Sequence, residues 1–173
     1  MPNLELFEQA LPVAPLKLAA LESCREMGQK VNDYIVQFRR ETLKEDLNSP
    51  LFSNYQTDNY LIECHCPRFG SGEAKGLLKE SVRGKDLFIM VDVCNYSLTY
   101  SVNGHLNHMS PDDHYQDLKR IISAANEKAH RINVMMPFLY ERRQHKRTTR
   151  ESLYCALALQ EQVDMGVSHI LTL

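Results

Sequence analysis

Hydrophobic and polar positions follow two different rhythms along this chain, and the change between them falls near residue 58. In the first 57 residues, Leu21, Cys24, Gly28, Val31, Ile35 and Phe38 recur at spacings of three and four. That period aligns small or apolar side chains along one helical face and predicts a helix over about Pro15 to Thr42, with Gly28 a candidate interruption. The polar stretch KEDLNSPLFSNYQTDN that follows reads as a loop or linker. Residues 1–57 are therefore expected to form a helical N-terminal extension, and 58–173 a separate domain.

From residue 58 the period shortens. In NYLIECHC, Tyr60, Ile62, Cys64 and Cys66 share one face of a strand, while Glu63 and His65 take the other. The glycine-rich RFGSGEA predicts a turn, and KGLLKES the return strand of a hairpin. DLFIMVDV (Asp86 to Val93) is a nearly unbroken apolar run, as expected of a strand covered on both faces. Ser110, Pro111, Asp112 and Asp113 then mark a helix start, with a capping hydroxyl, proline in the first turn and acids at the positive dipole end. Leu118, Ile121, Ile122 and Ala125 supply its buried stripe. RINVMMP is the next short buried strand. Glu151 to Met165 forms a second helix, with Leu153, Ala156, Leu157 and Val163 expected inward and Gly166 at its stop. VSHILTL is a last strand. Strands alternating with helices over 86–173 predict an α/β domain built on a parallel sheet, with helices on both faces.

Bulk properties narrow the function classes. The chain has 173 residues, 43% of them hydrophobic and 24% charged, as expected of a protein with a packed core. Its formal charge of −2 gives no overall attraction to nucleic acid or anionic membrane. No segment approaches the roughly 18 apolar residues of a membrane span. The N-terminus has no basic region before Glu5 and Glu8, so it does not read as a secretory signal. The 5 cysteines are dispersed in apolar surroundings, the pattern of reduced thiols in a cytoplasmic protein.

Ligand sites in open α/β sheets form outside the carboxyl ends of the strands. At one such end lies PFLYERRQHKRTTRE, in which Arg142, Arg143, Lys146, Arg147 and Arg150 fall within 9 positions. Guanidinium and ammonium groups suit phosphate oxygens. By composition the run also fits a solvated loop and helix entry; its place at a strand end favours the anion site. A nucleic-acid patch is the weaker alternative, because only Tyr140 interleaves with the charges. Cys64, His65 and Cys66 do not converge as zinc ligands, since a strand sends the thiols to one face and the imidazole to the other. His105, His108 and His114 cluster around NGHLNHMSPDDH, where metal binding with Asp112 and Asp113 competes with a solvated loop. Asp92 is expected to cap the turn after its strand.

The segment RFGSGEAKGLLKESVRGKDLFIM resembles that of ribose-phosphate pyrophosphokinases (PRPP synthetases), where a Phe and a Gly-Glu pair precede an E-S-V-R-G-x-D run and a hydrophobic strand. RINVMMPFLYERRQHKR and RESLYCALALQEQVDMGVSHILTL resemble later segments of the same family, in the same order. The resemblance spans about residues 66–173, and Ser81-Val82-Arg83-Gly84 followed by Asp86 is its most distinctive element. It implies a phosphoribosyltransferase-like α/β fold and transfer of the ATP diphosphoryl group to ribose 5-phosphate, for nucleotide biosynthesis. It further implies that Phe69 packs on the adenine of ATP bound by a neighbouring subunit, with Ser71 and Glu73 at the base edge. Ser71 replaces the family's usual Asn or Asp.

The family's Arg-Gln pair matches Arg143 and Gln144 if one residue is inserted after Tyr140; without the insertion Arg142 takes the Arg position. Lys146 keeps a basic position, and His145 replaces a common Asp. The resemblance also implies a homo-oligomer and Mg²⁺, with the metal ligands and most of the ribose 5-phosphate site beyond residue 173. This chain alone is accordingly expected to be inactive, no catalytic residue being assigned within it. A non-catalytic, synthetase-associated regulatory homologue is the alternative, and a phosphoribosyltransferase would share the fold.

Overall fold

The computed structural model describes residues 13–42 and 57–173. Four parallel strands form the central sheet: β1 (Leu16–Ala20), β4 (Asp86–Met90), β7 (Arg131–Met135) and β8 (Val167–Leu171), in the order β1-β4-β7-β8. Between them run α1 (Arg25–Thr42), α2 (Pro111–Ala125) and α3 (Tyr154–Asp164). Two small antiparallel ribbons complete the described part: β2 (Cys64–His65) with β3 (Leu77–Leu78), and β5 (Thr99–Val102) with β6 (His105–His108). The α/β parallel-sheet class expected from the sequence is the class observed.

Strand alternation divides the core between two faces. Ala19, Leu87, Ile89, Ile132, Val134 and Val167 join Leu118, Ile121, Ile122 and Ala158 of α2 and α3 in the main cluster. Leu18 and Phe88 turn to the opposite face, where they meet Val31, Ile35 and Val36 of α1 and Tyr60. Helix α2 starts as expected: Asp113 N donates to Ser110 Oγ at 3.2 Å, and Ser110 N donates to Asp113 Oδ2 at 2.8 Å. This reciprocal pair satisfies two donors that a helix start otherwise leaves open.

The helix expected from Pro15 is instead a strand followed by a helix. Leu16 to Ala20 pairs in parallel with Asp86 to Met90, and a short 3-10 turn, Glu22–Cys24, leads into α1. The run LKLAAL is apolar at spacings that suit either element, and a strand buried on both faces carries no period to separate them. The sheet therefore begins at Leu16, ahead of the boundary expected at 58. The rest of that expected extension and linker, residues 1–12 and 43–56, lies outside the described residues. Gly28 does not interrupt α1. A Cβ there would stand 2.5 Å from Ala20 Cβ, so the missing side chain lets the helix settle on β1.

Two further expectations are corrected. In α3 the buried side chains are Cys155, Ala158 and Gln162, whereas Leu157 and Val163 are each 56% exposed and Ala156 is exposed. The helix is apolar almost all round, so its period does not identify the inward face. Around NGHLNHMSPDDH, where a solvated loop was one of the readings, the chain forms the β5–β6 hairpin. Asn103 and Gly104 at its tip have φ of 50° and 80°, the left-handed pair of a two-residue hairpin turn.

Candidate functional site

Because all four sheet strands are parallel, their carboxyl ends share one edge, and backbone bonds knit it together. Leu21 N donates to Met90 O at 3.0 Å, Val91 N to Met135 O at 3.1 Å, and Met136 N to Leu171 O at 2.9 Å. Behind β4, Asp92 Oδ1 accepts from Cys94 N at 2.9 Å, the expected cap, while Asp92 N donates to Ser23 Oγ at 3.1 Å.

The basic segment leaves this edge after β7. Its root is anchored by Tyr140, whose ring stacks on Tyr115 with centroids 4.1 Å apart and whose hydroxyl donates to Asp112 Oδ1 at 2.7 Å. Burial first, and then Asp112, hold that phenol above its usual range. Glu141 adopts a left-handed conformation (φ 59°, ψ 17°), turning the chain into a 3-10 turn, Arg142–Gln144. Arg142 lies over the Phe138 ring at 4.4 Å from its centroid. Gln144 Nε2 donates to Ser152 O at 2.9 Å, which closes the loop against the start of α3. Arg143 and Lys146 are exposed and make no side-chain hydrogen bond or ion pair among the described residues.

Cys94 marks how the two strand ends meet. Burial and then Asp92 raise its thiol pKa, while Arg142 and Arg143 pull it down. The loop after β4 therefore lies within the electrostatic reach of both arginines. An edge that carries open cations at a strand's carboxyl end can receive an anion's oxygens.

Phe69, Ser71 and Glu73 stand together on a separate, exposed turn. Phe69 N donates to Glu73 O at 2.7 Å, Gly72 N to Phe69 O at 2.9 Å, and Ser71 Oγ to Glu73 Oε2 at 3.0 Å. The Phe69 ring is 52% exposed. This turn offers an apolar plate beside a hydroxyl and a carboxylate, a set able to stack on a flat ring and bond its edge. No hydrogen bond or ion pair among the described residues joins it to the Arg142–Lys146 loop.

Sequence reasoning missed the surroundings of Arg68. Its Nη2 donates to Asp117 Oδ2 at 2.9 Å, and its guanidinium lies over the Tyr100 ring, 4.8 Å from the centroid. Asp117 also accepts from Arg120 Nη1 at 2.6 Å, and burial, outweighing both arginines, raises its carboxyl pKa. The alternation in TYSV and the Asn-Gly that follows were the available signals for the ribbon carrying Tyr100. His114, expected in a solvated loop, is buried and bonded through Nε2 to Asn95 O at 2.7 Å.

Among the described residues, no three His, Cys, Asp or Glu side chains converge as a metal site, and no helix is long and apolar enough to cross a membrane. The ligands of any Mg²⁺ are not assigned to them.

Comparison with known proteins supplies the family context. The model for the "N-terminal domain of ribose phosphate pyrophosphokinase" matches residues 16–166. A "Putative ribose-phosphate pyrophosphokinase 2" of Streptococcus pneumoniae is 33% identical over 107 residues, covering 61% of this chain and 30% of that protein. "Ribose-phosphate pyrophosphokinase B" of Dictyostelium discoideum is 28% identical over 121 residues, covering 69% and 32%. The chain thus matches just under a third of the length of these relatives. Among solved structures, phosphoribosylpyrophosphate synthetase from Mycobacterium smegmatis has the same fold, with a TM-score of 0.64 at 20% identity, over 91% of this chain and 42% of that one.

Proposed function

Because this chain belongs to the family of the N-terminal domain of ribose phosphate pyrophosphokinase, we propose that it supplies the ATP-facing part of a diphosphoryl transferase acting on ribose 5-phosphate. Arg143 and Lys146 receive phosphate oxygens, and Gln144 fixes the loop that carries them. Phe69, Ser71 and Glu73 read the adenine of ATP held on the basic loop of a neighbouring subunit, so the protein works as a homo-oligomer in the cytoplasm. The observation that carries this reading is the open guanidinium of Arg143 at the shared carboxyl edge, beside the capped turn at Asp92–Cys94.

The packing also supports the register that pairs Arg143 with Gln144. Arg142 is occupied by Phe138 and Gln144 is tied to Ser152, which leaves Arg143 to meet a ligand. In such a reaction the protein's work is positioning and charge stabilisation rather than covalent chemistry. Mg²⁺ accompanies the nucleotide phosphates, as is usual for this ion. Calorimetric titration of the protein with ATP tests the binding part: saturable binding that weakens in Arg143→Ala supports it. Equal affinity in the variant removes the basic loop from the site. Diphosphoryl transfer to ribose 5-phosphate, assayed in the natural polypeptide, tests the reaction.

A further inference from the structure

The ribbon formed by β5 and β6 is tied to the base-reading turn by its inward-facing side chains. In β5 the exposed positions are Thr99 and Ser101, while Tyr100 and Val102 turn inward. Both inward residues meet the segment that carries the turn. Tyr100 offers its ring to the Arg68 guanidinium, and Val102 Cγ2 lies 3.5 Å from where a Cβ on Gly72 would stand. Gly72 has a φ of 91°, which a side chain at that position would strain. Arg68 is one end of the isolated bridge to Ala74 that closes the turn's base. It is held from below by Asp117, which Arg120 holds in turn. Arg68 and Tyr100 also border a half-open cavity of about 350 Å³, with Cys64, Cys66, His114 and Asp117 in its lining.

We propose that this ribbon is a brace that sets the Phe69–Glu73 turn for base recognition, with Tyr100 and Val102 as positioning residues acting through Arg68 and Gly72. The proposal rests on the reading of that turn given above. An exposed turn of five residues with one apolar plate loses binding free energy each time it must be ordered by its ligand. Fixing both its base and its tip removes that cost before the nucleotide arrives. The contacts do not touch the transferred group, so their effect belongs in the KM for ATP rather than in kcat.

The chain contains no tryptophan, so Phe69→Trp places a single indole on the turn, which can be excited selectively over the tyrosines. Time-resolved anisotropy of that protein reads the turn's local motion without any ligand. Tyr100→Leu, which keeps bulk but deletes the aromatic face, is expected to add a fast depolarising component; Val102→Ala is expected to do the same. Tyr100→Phe keeps the face and should leave the decay unchanged. In the natural polypeptide with Phe69 retained, Tyr100→Leu should raise the KM for ATP by roughly five- to tenfold. Its kcat should stay within about twofold and its KM for ribose 5-phosphate should not move. Unchanged anisotropy in both Tyr100→Leu and Val102→Ala overturns the brace. A faster turn with an unaltered KM for ATP overturns its role in recognition. If the natural polypeptide neither binds nor uses ATP, the functional reading fails, and the anisotropy comparison still decides whether the ribbon braces the turn. Should Tyr100→Leu fail to fold, Val102→Ala carries both measurements.

Discussion

Asn133 on β7 donates from Nδ2 to Asp86 Oδ1 on β4 at 2.7 Å, joining two buried polar side chains across the sheet. Arg131 bonds the same carboxylate through Nε at 2.8 Å, and Asn133 Oδ1 meets His169 Nδ1 on β8 at 2.8 Å. One polar line thus crosses three neighbouring strands. The central strands β4 and β7 are largely buried on both faces and carry little alternation to fix their register, and this line helps to supply it. Asp86→Ala leaves Asn133 and Arg131 without their acceptor and should cost about 2–4 kcal/mol. Urea unfolding measures this; a loss below about 0.5 kcal/mol would place the line outside the determinants of stability.

The Gly28–Ala20 contact gives a prediction whose sign decides. Intrinsic propensity alone makes Gly to Ala in a helix interior stabilising by about 1 kcal/mol. A Cβ at 2.5 Å from Ala20 Cβ opposes that gain. Gly28→Ala should therefore lower stability by about 1–2 kcal/mol through overpacking. Ala20→Gly in the same chain should restore much of the loss, and a double-mutant cycle of melting curves tests the coupling.

The cysteines differ in reactivity because only Cys94 is exposed. Burial pushes the thiols of Cys24 and Cys66 up to about 12 and that of Cys64 to about 11. Iodoacetamide at pH 8 should label Cys94 first, identified by peptide mass. The same shifts link to stability. Thiols in the unfolded chain ionise near about 8.5, below their folded values, so their contribution is complete under that pH and is lost as pH rises toward 11–12. Cys64→Ala and Cys66→Ala should flatten the fall of the urea midpoint between pH 8.5 and 10.5, relative to the unsubstituted protein.

Arg142 and Arg143 are adjacent but should behave differently. Arg142 lies over Phe138, so Arg142→Ala should lower stability by about 0.5–1 kcal/mol. Arg143→Ala should leave the melting temperature in place and weaken ATP binding by about tenfold, the scale of one charge-assisted hydrogen bond. Calorimetry on both variants separates the two roles. Bound nucleotide should also offset the pull of these arginines on Cys94 and slow its alkylation.

How far the sequence carries this account depends on the kind of signal each segment holds. The capping box at Ser110–Asp113 and the buried run after Asp86 are local patterns, and both appear where they were expected. The strand Leu16–Ala20 was hidden because burial on both faces erases the period that separates strand from helix. The inward face of α3 was hidden for the same reason, its apolar residues lying almost all round. The Asn103-Gly104 turn was legible in principle, as an Asn-Gly pair beside the alternating TYSV. At the site, the basic run was plain from composition. Its anchoring by Tyr140, Phe138 and Ser152 and the contacts of Arg68 are tertiary, and sequence spacing does not encode them.

Subunit complementation in the natural polypeptide tests the shared site most directly. On the proposed reading, Phe69→Ala removes the plate that meets the base and Arg143→Ala a contact to phosphate; each alone should be strongly impaired at limiting ATP. If the turn of one subunit serves the basic loop of another, mixing and reassembling the two variants equally creates intact sites. About a quarter of all sites should then recover wild-type behaviour. The account predicts that recovery. No gain over the separate variants, in oligomers shown to have exchanged subunits, would contradict it.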